Sequence, residues 1–432
     1  MAFTDDFELR RIHPVAPGEA GYEAAMTWLK AVSYGFHNPG RSTERAAEAM
    51  VRSIADRTEF IGVYRKAAQP GFDIGWPVAT FESFRKDLNI GSGRMLRAEL
   101  ISAVTVRSDH RRLGILRAMM QDDLRRARDE GIAVAALTVS EGSIYRRFGF
   151  GVATQERSIT VDSSKGLDLV RQTTGVVRNV PRQDLFELAP KIFAEAHARQ
   201  PGSIDRTESY RYYAAGKMGK DGEDKDVISA VHYSANGVPD GYASYKYSGW
   251  DETPRRLDIV DLVAADDVAY LELWQFLGSV DLTTRIVWED APLVDPMQWA
   301  LADPRLVEST RQRDMIWLRI LDVRRAFAAR EYQADGRLVI EVADQMGLAG
   351  GRFELEVRAG QANVTELSDE SGASTEPDLS LDIADLGSVY LGGVLPSSLL
   401  AAGRIVEHRA GAARLLQLML APERAVHCLS HF

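Results

Sequence analysis

The sequence predicts a mixed α+β protein in three segments, and three observations carry that reading. Helical and strand-like periodicities alternate over the first third of the chain, the order strand, helix, strand recurs in the middle, and the last third places strands first and helices last. With 432 residues, 45% hydrophobic and 26% charged, the chain is long enough for about two to four domains with their own cores and too apolar to be disordered.

The first segment is read as residues 1–153. Glu19 to Lys30 has helical spacing, and Glu44 to Ile54 is a second helix entered from Ser42-Thr43. Phe60 to Tyr64, Pro77 to Glu82 and Leu96 to Val106 read as strands, with a hairpin at Gly91-Ser92-Gly93 and a short buried strand at Val134 to Val139. The second segment, 154–314, has a strand at Leu257 to Val263, a helix at Val268 to Leu277 and a strand at Arg285 to Trp288, interrupted earlier by a charged loop from Lys217 to Asp226. That order repeats Leu100 to Val106, the helix after Gly114, and Val134 to Val139, so a duplicated fold is expected.

The third segment, 315–432, opens with a strand at Trp317 to Ile320 and a helix at Val323 to Arg330. Strands at Leu338 to Val342, Phe353 to Arg358 and Asn363 to Leu367 follow, then an acidic turn from Glu366 to Asp378 and a strand at Leu379 to Ile383. Helices at Ile383 to Leu391, Leu399 to Ala402 and Gly411 to Leu420 close the chain, which describes a sheet covered on one face.

Composition excludes several classes. No apolar run approaches the ~20 residues of a membrane helix, and Asp5, Asp6 and Glu8 stand where a secretory signal needs basic residues, so a cytoplasmic protein without a membrane span is expected. The single cysteine, Cys428, excludes an intrachain disulfide. His427, Cys428 and His431 have a spacing that suits a metal, yet no further ligand cluster accompanies them and no metal is expected. A net charge of −10 argues against general nucleic-acid binding and fits a cationic ligand. Gly347 to Gly351 has the wrong order for a nucleotide loop and reads as a turn.

The chemistry concentrates after the strand that ends in Val104-Thr105-Val106. His110, Arg111, Arg112, Leu113 and Gly114 lead into a helix whose Leu116, Met120, Leu124 and Ala127 share one face. N–H groups at a helix start are unpaired and partly positive, and glycine lets an anion approach them closely. Between Arg107 and Arg128 seven arginines oppose three aspartates, a local excess of positive charge in an acidic chain. Such arginines also fit a merely solvated helix start.

The stretch Arg111-x-x-Gly114 after Val104-Thr105-Val106 resembles the acetyl-CoA loop of the GCN5-related N-acetyltransferases, with Leu116 where the usual motif has glycine or alanine. The fuller string HRRLGILRAM (110–119), with SEGSIYRRFGFG (140–151) downstream, is similar to the enhanced intracellular survival (Eis) acetyltransferases. The resemblance covers the whole chain and implies tandem acetyltransferase-like domains followed by a sterol-carrier-like domain. It implies acetyl-CoA as cosubstrate, held by Val104, Thr105, Val106, Arg111, Arg112, Leu113, Gly114, Ile115, Leu116 and Arg117, with Ser140 and Glu141 adding contacts.

The same resemblance makes Tyr145 the general acid. A phenol of pKa near ~10 can supply a proton to a departing thiolate of conjugate acid near ~8.5, although a tyrosine close to Phe148 and Phe150 also reads as core. It makes the terminal carboxylate of Phe432 the base, relayed through water, and Ser33 to His37 the mouth of the acceptor site, here without an acid. His110 is expected to support the loop. The implied acceptors are aminoglycoside-type polyamines acetylated by direct attack, and the implied assembly is a hexamer, a dimer of trimers. The middle copy has Ala264-Ala265-Asp266-Asp267 where the first has arginines, and its carboxylates would repel a pyrophosphate. A protein-lysine acetyltransferase, or a lipid binder with a vestigial transferase region, are the alternatives.

Overall fold

The computed structural model describes residues 6–38, 42–68, 70–71, 73–170, 174–219, 222–248, 255–368 and 376–432; Asp5, positions 220–221 of the charged loop and 369–375 of the acidic turn lie outside them. The first unit comprises β1 (Phe7–Ile12), β2 (Glu59–Arg65), β3 (Ala79–Asn89), β4 (Met95–Val106), β5 (Val134–Leu137) and β6 (Gly151–Val152). Its helices are α1 (Tyr22–Gly35), α2 (Thr43–Asp56), α3 (Ile115–Asp129) and α4 (Gly142–Tyr145). Ser42 caps α2 by accepting from the Arg45 N–H, as the Ser-Thr entry predicts. Trp28 of α1 is buried flat on Phe60 at 4.1 Å and donates its indole N–H to the Ile61 carbonyl, which fixes the helix on the sheet. The Gly91-Ser92-Gly93 hairpin joins β3 and β4 in register from Asn89 opposite Met95.

The second unit has β7 (Gln155–Asp162), β8 (Val176–Val180), α5 (Arg182–Arg199), α6 (Glu208–Ala214), β9 (Ile228–Tyr233), β10 (Pro239–Ser248), β11 (Arg256–Ala264), α7 (Asp267–Gly278), β12 (Arg285–Pro292), α8 (Pro296–Ala300) and β13 (Val307–Asp314). Helix α5, with Pro190 inside it, was not foreseen from periodicity. The expected duplication is visible in the sheets. The first is ordered β1-β2-β3-β4-β5-β14-β6, where β14 is Trp317–Ile320, and the second β8-β9-β10-β11-β12-β7-β13. Each has one parallel pair, β4 with β5 and β11 with β12.

The two units exchange a strand. β7 follows β6 in the chain but lies in the second sheet, and β14 follows β13 but lies in the first. Trp317–Ile320 was expected to open the third segment; it sits instead between β5 and β6 because all four of its residues are buried there. Arg319, fully buried in that strand, pairs with Asp344 of the third unit at 2.6 Å, so the strand ties two units together.

The third unit contains α9 (Val323–Ala329), β15 (Gly336–Ala343), β16 (Gly351–Arg358), β17 (Gln361–Leu367), β18 (Leu379–Asp382), α10 (Ile383–Tyr390), α11 (Pro396–Ala401), β19 (Ile405–Glu407) and α12 (Ala412–Met419), with the sheet ordered β17-β16-β15-β18-β19. Helix α10 lies directly on β14: a Cβ at Gly387 would come within 2.3 Å of the Leu318 carbonyl oxygen. The Gly347 to Gly351 stretch is the turn its sequence suggests, wrapped on Asp344, whose carboxylate accepts from the N–H groups of Met346, Leu348 and Ala349.

Two cavities at a splayed strand pair

Strands β4 and β5 pair from Ala98 opposite Val134 to Ile101 opposite Leu137 and no further, although β4 continues to Val106. A bulge parts them. The register of β4 against β3 shifts between Thr80 and Glu82, Ala103 takes φ +50°, and the Thr80 hydroxyl donates to the Ala103 carbonyl at 2.9 Å. Beyond the bulge β4 stays paired with β3, Thr105 opposite Thr80 and Val106 opposite Ala79, while its edge towards β5 is left without a partner strand. Helix α1 ends close by: a Cβ at Gly35 would fall 2.4 Å from the Thr105 hydroxyl oxygen.

The gap opens into a cavity of about 760 Å³. Val104, Thr105, Val106, Arg111, Arg112, Gly114, Ile115, Leu116, Arg117, Ser140, Glu141 and Tyr145 all line it. Leu113 does not: it lies between two left-handed residues, Arg112 (φ +66°) and Gly114 (φ +78°), and the chain reversal turns its side chain to solvent. Helix α3 starts at Gly114 with no side-chain cap and no acid in its first turn, so its first N–H groups stay open. Arg111, Arg112 and Arg117 are exposed. Their guanidinium groups and those N–H groups form a positive rim suited to a polyphosphate.

His110 underpins the rim as expected. The buried ring accepts from the Arg65 Nε at 3.0 Å and faces Asp109 through Nδ1 at 2.8 Å, which assigns the proton to Nδ1. Hydrogen bonding from His110 and from Arg107 holds the Asp109 carboxyl down at about 2. Tyr145 ends α4 with its ring edge-on to Phe150. Burial, and then the charge of Glu141, raise its hydroxyl above the ordinary phenol value, so it is protonated at neutral pH.

Phe432 is elsewhere. It borders a second cavity, about 570 Å³, with Trp28, Leu29 and Val32 of α1, Asp56, Glu82, Ser102, Tyr210, Asp290, Arg313 and His431. Its ring meets Phe84 edge-on at 5.8 Å, and one oxygen of its terminal carboxylate accepts from the Thr138 hydroxyl at 2.7 Å. Tyr145 and Phe432 therefore line neighbouring cavities on either side of the splay rather than one. Of the Ser33 to His37 segment, Gly35, Phe36 and His37 border the first cavity, and residues one to two turns earlier in α1 border the second.

The chain end is held by the second unit. Arg206, bidentate to Asp261 with both contacts at 2.8 Å, donates to the Leu429 carbonyl at 2.7 Å. The Ser430 hydroxyl donates to the Ile204 carbonyl, and the His431 N–H donates to the Tyr210 hydroxyl, each at 2.6 Å. The trio His427, Cys428 and His431 is not assembled: Cys428 is buried against the Ser430 carbonyl, whereas His431 faces Glu156 and Asp290. Thr138, Arg206, Tyr210, Glu156 and Asp290 carried no local signal, because each acquires its role only when distant segments meet.

Residues 20–153 and 202–320 each match a family described as acetyltransferase (GNAT) domain, and residues 323–429 match the sterol carrier protein domain. The chain is similar to an uncharacterized N-acetyltransferase of Streptomyces griseus, at 34% identity over 96% of this chain and 98% of the relative. It is also similar to N-acetyltransferase Eis of Mycobacterium tuberculosis, at 33% identity over 79% of this chain and 82% of that protein. Among solved structures, Eis1 from Mycobacterium abscessus superimposes with a TM-score of 0.79 at 26% identity, covering 99% of this chain and 100% of that one. A probable N-acyltransferase from Enterococcus faecalis, at 17% identity over 98% of this chain and 100% of that one, shares the fold with a TM-score of 0.78. No described helix is long and apolar enough to cross a membrane. With two acetyltransferase units, a sterol-carrier unit and full-length relatives above 30% identity, the chain is an acetyltransferase and belongs to the Eis family of GCN5-related N-acetyltransferases.

Proposed function

We propose that the chain transfers acetyl from acetyl-CoA to a primary amine of an aminoglycoside-type polycation by direct attack, without an acyl-enzyme. The observation that carries this reading is the first cavity: a splayed strand, an uncapped helix start and three exposed arginines face it together with the protonated Tyr145. The pyrophosphate lies on the N–H groups after Gly114 and the arginine rim, and the pantetheine arm pairs with the freed backbone of β4 from Val104 to Val106.

The amine approaches from the second cavity, whose wall carries Asp56, Glu82 and Asp290 beside Phe432. The amine nitrogen attacks the thioester carbonyl, the C–S bond breaks, and Tyr145 protonates the leaving thiolate. The proton lost by the nitrogen passes through water to the Phe432 carboxylate. No metal takes part in these steps. The chain works in the cytoplasm as a hexamer, a dimer of trimers, which light scattering would check.

The test is thiol release from acetyl-CoA with untagged protein, offering kanamycin, tobramycin and a lysine peptide in turn. Release with the antibiotics is expected. Release with the peptide alone moves the acceptor to protein lysine. Acetyl-CoA binding without release to any of the three removes the amine class proposed here.

A further inference from the structure

Beside Phe432, three side chains from three distant parts of the chain converge. Glu156 comes from β7, Asp290 from β12 and His431 from the chain end, and one ligand atom of each lies within 4.8 Å of the others. His431 Nε2 is 3.4 Å from Glu156 Oε2 and 3.5 Å from Asp290 Oδ1. A tetrahedral ion with bonds of about 2.0–2.1 Å holds neighbouring ligand atoms about 3.4 Å apart.

Glu156 is 1% exposed. Its Oε2 makes no hydrogen bond among the described residues, and neither does His431 Nε2. The two atoms stand at ion-pair distance with no hydrogen bond to either, whereas buried polar atoms almost always find one. The other oxygen of Glu156 is accounted for: Arg313 donates to Oε1 at 2.5 Å and to Asp290 Oδ1 at 2.6 Å. The guanidinium thus holds both carboxylates in place behind the gap, the outer-shell role that orients metal ligands. Asp290 and His431 are a third exposed and line the second cavity, so an ion can enter and a fourth ligand can reach it from there.

We propose that Glu156, Asp290 and His431 bind one divalent ion of the zinc class, tying the end of the chain to β7 and β12 beside the second cavity. One imidazole and two carboxylates suit zinc, cobalt or nickel over calcium or magnesium, which favour all-oxygen cages. Its ligands are not the groups placed on the reacting atoms, but Asp290 also borders the proposed acceptor cavity, so the test reads metal binding and not turnover.

The experiment uses the full chain without a histidine tag, stripped with chelator. Equilibrium dialysis against Zn²⁺ should give one ion per chain, and Co²⁺ should give the visible absorption of a tetrahedral site. His431→Ala, which changes only the chain end, should weaken binding at least about tenfold and abolish the band. Asp290→Asn should do the same, and circular dichroism melting confirms that each variant is folded. Absence of stoichiometric binding overturns the proposal and leaves an ion-pair cluster neutralised by Arg313. Undiminished binding in folded His431→Ala overturns it as well, by placing the ion elsewhere.

Discussion

The two acetyltransferase units share a sheet order and part at one helix start. In the first, α3 begins at Gly114 with open N–H groups and exposed arginines around it. In the second, the β11–β12 pairing also stops early, after Asp258 opposite Val287, so the splay survives. Helix α7, however, begins at Asp266, whose carboxylate accepts from the N–H groups of Val268 and Ala269, both at 2.8 Å. The next residue, Asp267, pairs with Arg424, and the Arg199 guanidinium is committed to the Ala265 carbonyl. The N–H groups that a phosphate needs are occupied by the protein's own carboxylate. A good helix cap and an anion site are mutually exclusive uses of the same donors. The second unit has a different use: its Arg206, Tyr210 and Ile204 hold the chain end beside the first unit.

The largest expected effects test whether that division of labour is real. Tyr145→Phe should lower kcat by about 10² to 10⁴ with acetyl-CoA affinity kept, the range for loss of a general acid. Deleting Phe432, or extending the chain past it, should lower kcat comparably while the protein stays folded, the deletion lowering the melting temperature only slightly through loss of the Phe84 and Thr138 contacts. A tagged enzyme of full activity would remove Phe432 from the chemistry.

Converting one unit's helix start into the other's sharpens the comparison further. Gly114→Asp should weaken acetyl-CoA binding by about 10- to 100-fold in calorimetry, since the carboxylate repels phosphate and a side chain at φ +78° strains the turn that presents the N–H groups. The reverse change, Asp266→Ala, should cost about 1 kcal/mol in stability and create no second CoA site. A stoichiometry of two in either protein would break the argument.

Buried carboxylates make a subtler contrast, with opposite signs. Asp123 of α3 is pushed up to about 7 by burial and by Glu99, against the pull of Arg126. Its folded-state value exceeds its unfolded one, so its contribution to stability is full below about pH 4 and is lost as pH rises towards 7. Glu272 of α7 is lowered: burial alone would raise it, but N–H groups of Thr174 and Gly175 and the His232 ring outweigh that. Its contribution is full above the ordinary glutamate value and is lost as pH falls through the lowered one. Melting temperatures across pH should therefore fall less steeply between pH 4 and 7 in Asp123→Asn, and less steeply on the acid side in Glu272→Gln. The same slope in wild type and variant would remove that residue from the pH dependence.

Sequence alone determined the elements with strong local signals. The helix entered from Ser42, the Gly91-Ser92-Gly93 hairpin, the strand–turn–helix at Val106 to Arg117 and the helix from Val268 were all readable, because turn and face are set within a few neighbours. The loop's arginines and Gly114 were legible for the same reason, and all the named loop and strand residues but Leu113 meet at one cavity. Only the tertiary structure decided the rest. Trp317–Ile320 is a short apolar strand that pairs wherever an edge is free, and the free edges lay far back in the chain, at Val134–Leu137 and Gly151–Val152. The separation of Tyr145 and Phe432 into neighbouring cavities, and the meeting of Glu156, Asp290 and His431, depend on that exchange of strands between units. Contacts across such distances leave no period in the chain, since what selects them is the shape left over when the local elements pack.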